Sequence, residues 1–321
     1  MPNWRDAILA AHQRISSIVR ETPLEPAPLI PGVDVVLKLE HLQHTGSFKF
    51  RGASHKIALL TPAQAQAGVV AASNGNHGLG VAAAARARGI ASEVFVSSQV
   101  SPAKARRIEA LGARIRYAGD DPLDAELAAR RASEDSGRVF ISPYNDADVI
   151  AGQGTIAVEL LRQIDRPLDA VFVAVGGGGL MGGIGAYLKA ASPSTEIVGC
   201  WPVNSPVLHR CLEAGRVVDV PETPTLSEST SGGLEPGTIT VDLCRSVMDR
   251  ASFVTEEQIL SAMRLMLETE HWLIEGAAGV AVACALQDAE RYRGKSVAII
   301  VCGRNLSPEV LRGAGFSPQG A

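Results

Sequence analysis

Short aliphatic runs alternate with helix-period stretches along nearly the whole of this 321-residue chain, and that alternation leaves few folds open. A strand followed by a helix and then another strand makes parallel neighbours, because the helix carries the chain back along the sheet. Strands are expected at Val35–Leu39, Gly68–Ala72, Ser92–Val96, Ala113–Tyr117, Val139–Ile141, Ala170–Val175, Glu196–Trp201, Ser252–Val254 and Val297–Val301. Between them the spacing predicts helices at Lys49–Leu60, Asn76–Arg88, Pro102–Leu111, Pro122–Glu134, Ile150–Arg162, Leu180–Ala190, Glu256–Glu270 and Ala277–Ala289. Residues 3–19 read as an amphipathic helix with Trp4, Ile8, Ala11, Ile15 and Ile18 on one face. The fold class is therefore α/β with parallel sheets. The segment Pro221 to Thr240 breaks the rhythm with Pro, Gly, Ser and Thr, and reads as a long loop of the kind that is usually functional.

Composition narrows the function classes. At 46% hydrophobic and 20% charged, the chain has material for one large or two medium domains. Its 32 glycines and 4% aromatics suit an α/β protein that grips a ligand through its backbone. A net charge of −4 gives no reason to expect nucleic acid or an anionic membrane as partner. The five cysteines, Cys200, Cys211, Cys244, Cys284 and Cys302, form no CxxC pair. Neither a disulfide framework nor a zinc site is supported, and a reducing cytoplasm fits best. The N-terminal stretch has no apolar core of a signal peptide, and no run reaches transmembrane length.

Two glycine loops follow strands: Ser73-Asn74-Gly75-Asn76-His77-Gly78, and Gly176-Gly177-Gly178-Gly179-Leu180-Met181-Gly182-Gly183. Both stand at a strand's carboxyl end and a helix's amino end, where open α/β sheets bind ligands and free N–H groups hold anions. Gly177, Gly179 and Gly182 formally match the dinucleotide fingerprint, which demands an acid at the end of the next strand. Glu196 stands at that strand's start, the wrong end to reach a ribose. The plain alternative is a tight turn with no ligand. Four consecutive glycines carry a large entropic cost, and favour close approach of a phosphate instead. Lys49 falls near the first turn of a helix, where the dipole and any desolvation disfavour an ammonium. A neutral amine is a nucleophile toward carbonyls, although most lysines at helix starts are simply solvated.

The stretches Lys38–Ala53, Ser73–Gly78, Gly176–Gly183, Leu273–Val280 and Val301–Asn305 together resemble the fold-type II pyridoxal-phosphate enzymes, specifically the serine/threonine dehydratase and serine racemase group. The resemblance implies two parallel-sheet α/β domains like those of the tryptophan synthase β subunit. A large cofactor-binding domain would comprise 1–50 and 147–321, with 51–146 as a smaller inserted domain and pyridoxal 5′-phosphate in the cleft. It implies that Lys49 forms the Schiff base and removes the Cα proton, that Phe48 flanks the ring, and that Asn76 hydrogen-bonds the phenolic oxygen. Gly176, Gly177, Gly178 and Gly179 with Leu180 match the phosphate cradle. Cys302 matches the residue against the pyridine nitrogen, followed by a turn into a helix. Ser73, Asn74, Gly75, Asn76 and His77 match the loop that grips the substrate carboxylate. Duller roles stand beside these: a backbone-bonded His77, a capping Asn76, an inert Cys302, a solvated or ion-paired Arg51, and His41 and His44 serving their loop.

The implied reaction is loss of water and then ammonia from a β-hydroxy amino acid, with the cofactor phosphate protonating the leaving hydroxyl. A thiol at Cys302 is a weak partner for the ring nitrogen, which favours direct elimination. Racemases of the group carry a serine where this chain has Asn74, and an amide has no useful pKa for proton transfer. Lyase is thus the reading, with a racemase or a catalytically inactive cofactor-binding protein as alternatives. Departures from the family pattern are Arg304 in Cys302-Gly303-Arg304-Asn305, Gly276 after the family glutamate Glu275, and the loop 227–237 in place of an Ala-Asp-Gly segment that helps hold a cation in some members. No metal is expected, with Glu228 and Glu235 the candidates if there were one. These departures resemble a branch associated with hydroxyectoine use and phenylserine-type substrates, implying a larger or acidic substrate. The family further implies a homodimer. The short stretch to Ala321 implies no regulatory domain and hence no end-product control.

Overall fold

The computed structural model describes residues 2–120, 122–307 and 310–311. Ten strands form two separate sheets. They are β1 (Leu24–Pro26), β2 (Asp34–Lys38), β3 (Val69–Ala72), β4 (Ser92–Val96), β5 (Arg114–Tyr117), β6 (Val139–Phe140), β7 (Ala170–Ala174), β8 (Glu196–Pro202), β9 (Arg250–Val254) and β10 (Ser296–Ile300). The larger sheet has the order β1-β2-β10-β7-β8-β9, parallel except for the antiparallel edge pair β1–β2. The smaller has the order β5-β4-β3-β6 and is parallel throughout. The expected parallel α/β class holds.

Burial follows position in the sheet. Every residue of β7 and β10 is buried, as both strands have neighbours on each side and helices on each face. Edge strand β5 is mostly exposed and carries Arg114 and Arg116. The expected helices form within a few residues of their predicted bounds. The alternation missed β1, the helix Pro62–Ala67, and the helices Val207–Ala214 and Thr240–Val247 that flank the 221–240 loop. Each is eight residues or fewer, too short for a clear periodicity. The helix expected after Asn305 and the chain end near Ala321 lie largely outside the described residues.

Helix Lys49–Ala58 leaves the large sheet and crosses helix Ala147–Gln163 closely. A Cβ on Gly152 would lie 2.6 Å from the Gly52 Cα. Arg51, one turn-face away from Lys49, is not solvated. It is fully buried and paired with Glu40 (Nε–Oε2, 2.8 Å) and Glu159 (Nη1–Oε1, 2.6 Å), while Lys38 bonds Glu159 at 2.7 Å. Two acids and two bases thus tie β2, the Lys49 helix and helix Ala147–Gln163 together. Removing one member would strand a buried charge, at a cost of about 3–5 kcal/mol.

Candidate active site

The segments on either side of Lys49 and Cys302 are distant in sequence and stitched together in space. Phe48 N–H donates to the Cys302 carbonyl (3.1 Å), and Arg304 N–H to the Gly46 carbonyl (2.9 Å). Ser47 forms a β-bridge with Gly303, and Asn305 Nδ2 donates to the Thr45 carbonyl at 2.9 Å. This seam delivers Lys49, the first residue of its helix, to a cleft between the ends of the two sheets. Phe48, Lys49, Asn76, Gly176, Gly177, Gly178, Gly179, Leu180 and Cys302 all line that cleft. Tyr144, Ser229, Thr230 and Met181 line it too, and sequence reasoning missed them. A signal for Tyr144 was available: Ser142-Pro143-Tyr144-Asn145 follows a strand and precedes a helix, the same place that the glycine loops occupy.

Lys49 Nζ donates to the Pro143 carbonyl at 2.7 Å and stands 5.3 Å from the Phe48 ring centroid. Burial pulls its pKa from the usual 10.5 to about 8, with Cys302 and Glu275 acting in the opposite direction. Burial likewise pushes the Cys302 thiol well above its ordinary value, reinforced by Glu275. Cys302 is therefore a neutral thiol. Burial raises the Tyr144 hydroxyl also, and its oxygen accepts from Glu235 N–H at 2.9 Å.

The tetraglycine turn has φ +87° at Gly178, just before helix Gly179–Ala191. The first N–H groups of that helix have no partner within it. Each glycine also has a protein reason to be one. A Cβ on Gly176 would meet Thr230 Cα at 2.8 Å, on Gly177 the Tyr144 ring at 2.4 Å, and on Gly179 the Tyr144 Cα at 3.1 Å. Four glycines in a row therefore do not by themselves imply a ligand. Close protein packing accounts for them, and the ligand case rests on the N–H groups and the cleft.

Only Asn76 of the Ser73–His77 loop is on the cleft wall. Ser73 Oγ accepts from Gly75 N–H (3.0 Å), and Asn74 bonds Ser97 at both ends of its amide (2.8 and 3.0 Å). A Cβ on Gly75 would meet nothing within 4 Å. His77 donates from Nε2 to the Ile141 carbonyl at 2.8 Å. Burial, followed by the nearby Lys49 charge, drops its pKa to about 3. The ring is neutral, with its Nε2–H committed to the Ile141 carbonyl. Asn76 Nδ2 donates to Glu275 Oε1 and Oε2 at 2.9 and 3.0 Å. Buried Glu275 also accepts from Ser229 Oγ (2.7 Å) and Asn305 N–H (3.0 Å).

Other candidates lie elsewhere. Arg304 is exposed and off the cleft wall. Glu228 pairs with Lys104 at 2.7 Å and Glu235 with Arg130, so both acids are ion-paired. His41 is buried edge-on against Trp272, and His44 edge-on against Phe50. Glu196 begins β8 and accepts from Tyr292 Oη at 2.6 Å, which removes the dinucleotide reading.

The sequence pattern of the family described as "Pyridoxal-phosphate dependent enzyme" matches residues 15–303. An L-threonine ammonia-lyase of Thermotoga maritima is 36% identical over 307 residues, covering 95% of this chain and 76% of that protein. A biosynthetic chloroplast threonine dehydratase of Solanum lycopersicum is 34% identical over 304 residues. This chain spans half the length of that protein. The solved structure of maize serine racemase superposes with a TM-score of 0.89 at 30% identity, covering 97% of this chain and 96% of that one.

Proposed function

The chain belongs to the pyridoxal-phosphate dependent enzymes, and on that premise we propose that it is an ammonia-lyase that dehydrates a β-hydroxy amino acid to a 2-keto acid and ammonia. Its cofactor is pyridoxal 5′-phosphate. The cleft residues suit that group: an amine of lowered pKa for its aldehyde, a helix N-terminus for its phosphate, an amide donor, and a neutral thiol. Lys49 would carry it, Gly176 to Leu180 hold its phosphate, Asn76 meet its phenolic oxygen, Phe48 flank its ring and Cys302 face its ring nitrogen. When bound, the cofactor supplies an electron sink for the carbanion at Cα.

The observation that carries the reading is Lys49, an amine with pKa about 8 on the wall of a cleft that it shares with the glycine turn. Near neutral pH a usable fraction is unprotonated and can act as base. Once the substrate's amine has displaced Lys49 from the group it would carry, Nζ is a free amine and takes the proton as the Cα–H bond breaks. The Cβ–O bond breaks and the hydroxyl takes up one proton and departs as water, which balances the proton gained at Lys49 Nζ. The enamine so released takes up water and gives keto acid and ammonia. The backbone of the Ser73–His77 loop binds the substrate carboxylate. A racemase needs a second acid/base, and Asn74, spent on Ser97, supplies none.

Residues 51–146 are proposed as the smaller domain and 1–50 with 147–321 as the larger, which the membership of the two sheets supports. A homodimer in a reducing cytoplasm completes the proposal, in keeping with five free, buried cysteines. No helix among the described residues is long and apolar enough to cross a membrane.

The test is a panel of serine, threonine, hydroxyaspartate and phenylserine, read for keto acid and ammonia in equal amounts. Lys49→Ala should lose both products and the covalently held cofactor. Rapid Cα deuteration with stereoinversion and no keto acid would show a racemase instead. Bound cofactor with no product from any substrate would favour the inactive binding protein.

A further inference from the structure

We propose that Asn305, braced by Arg107 and the Thr45 carbonyl, is a positioning residue that sets the Asn76 amide with its Nδ2 donor toward the cofactor's phenolic oxygen. The inference rests on the reading of Asn76 as a cofactor contact.

An amide side chain has two placements, which exchange its donor and acceptor ends. For Asn305 both ends are decided. Nδ2 lies 2.9 Å from the Thr45 carbonyl oxygen, which can only accept, and Oδ1 lies 2.9 Å from Arg107 Nη2, which can only donate. The exchanged placement would set oxygen against oxygen and donor against donor. With Asn305 fixed, its Nδ2 also donates to Asn76 Oδ1 at 2.6 Å. That decides Asn76 in turn, and puts its Nδ2 2.9 and 3.0 Å from the two Glu275 oxygens. The Asn305 backbone N–H donates to Glu275 Oε2 at 3.0 Å and closes a triangle of three residues.

One donor of Asn76 is left over. The two oxygens of a carboxylate subtend a narrow angle at Nδ2, much smaller than the spread of its two trigonal N–H bonds. A single N–H therefore serves both Glu275 oxygens, and the second is unspent. Asn76 shares the cleft wall with Lys49 and Cys302, so that N–H is a donor for a ligand held there. Two glycines make room for the relay. A Cβ on Gly46 would lie 2.8 Å from Asn305 Oδ1, and one on Gly303 2.6 Å from the Glu275 carboxyl.

The test uses pyridoxal 5′-phosphate as probe on the full chain, without substrate, and reads its dissociation constant and the pH midpoint of its visible band. Asn305→Asp replaces the donor end with an acceptor in the same shape. Loss of one hydrogen bond to an ionised oxygen should weaken binding about tenfold and raise the midpoint by about one pH unit. Arg107→Met, at an exposed position, removes only the brace, and should move both readouts in the same direction by about twofold to threefold and a few tenths of a unit. It carries the test if Asn305→Asp does not fold. A midpoint unmoved in the variants that fold, whatever their melting temperatures, overturns the relay and leaves the enzyme reading standing. Failure of the unaltered chain to bind the cofactor overturns both.

Discussion

The two glycine loops look alike in sequence and differ in what surrounds their glycines. In the tetraglycine turn, Cβ atoms on Gly176, Gly177 and Gly179 would strike Thr230 and Tyr144. In the Ser73–His77 loop, Gly75 has open space where its Cβ would be. The first loop is small because protein packs against it; the second leaves room that nothing in the chain fills. A run of glycines therefore reports close approach without saying by what. An open Cβ position shows only that no protein atom packs there, as is also true of Gly89, Gly112 and Gly137.

The largest effect that tests this contrast is on stability. Gly177→Ala places a methyl 2.4 Å from Tyr144 Cγ, deep in the cleft wall. Overpacking of that severity should cost about 3 kcal/mol, read as a fall in melting temperature of the cofactor-free protein. Adding Tyr144→Ala should restore part of the lost stability if packing is the cause. A single variant as stable as the unaltered chain that nevertheless binds cofactor poorly would return the turn to the phosphate-approach explanation.

Lys49 shares the cleft with the tetraglycine turn, and its titration is the next largest effect. Its pKa in the folded chain, about 8, is below the ordinary 10.5 of an unfolded lysine. The folded state therefore binds fewer protons between these values, so stability rises with pH across that window and falls as pH drops through it. Below pH 8 the neutral amine falls about tenfold per unit. The rate at which cofactor-free enzyme takes up pyridoxal 5′-phosphate should follow, levelling off above about pH 9. A rate still climbing toward pH 10.5 would mean that Lys49 is not desolvated.

Gly75→Ala is the counterpart of Gly177→Ala and should act on binding. Stability should change by about 1 kcal/mol or less, because the added methyl meets no protein atom. The substrate KM should rise several-fold with kcat little altered, as a methyl intrudes where the carboxylate is proposed to bind. A large stability loss with KM unchanged would erase the contrast between the loops.

Much of this was legible in the sequence. The strand-helix rhythm marks nearly every long element, and the motifs around Lys49, Cys302 and the tetraglycine turn mark three parts of one cleft wall. What was not legible depends on closure in space. The Asn76–Glu275–Asn305 triangle joins three segments with no spacing rule between them. Arg51 reads as an ordinary helix cation, because its partners Glu40 and Glu159 are brought in by a strand end and a distant helix. Tyr144 carries no motif of its own and is marked only by its place between a strand and a helix, although it packs on the tetraglycine turn.

The smallest effect should come from His77, the residue of the Ser73–His77 loop with the most tempting chemistry. Its Nε2 donates to the Ile141 carbonyl, and its pKa of about 3 leaves it uncharged wherever the enzyme would work. A group that never gains a proton in the working range cannot shape a pH-rate profile there. His77→Gln keeps an N–H donor near the same carbonyl, so kcat should change by about threefold or less and both limbs of the profile should stay in place. The histidine's signature belongs to stability. An unfolded histidine titrates near 6.5 while the folded one does so near 3, so the native state loses stability as pH falls from about 6.5 toward 3. His77→Gln should flatten that acid loss, measured by denaturant unfolding at pH 7 and pH 4.5. If instead one limb of the pH-rate profile disappeared, His77 would be a proton-transfer group and the Ser73–His77 loop would be part of the chemistry rather than its frame.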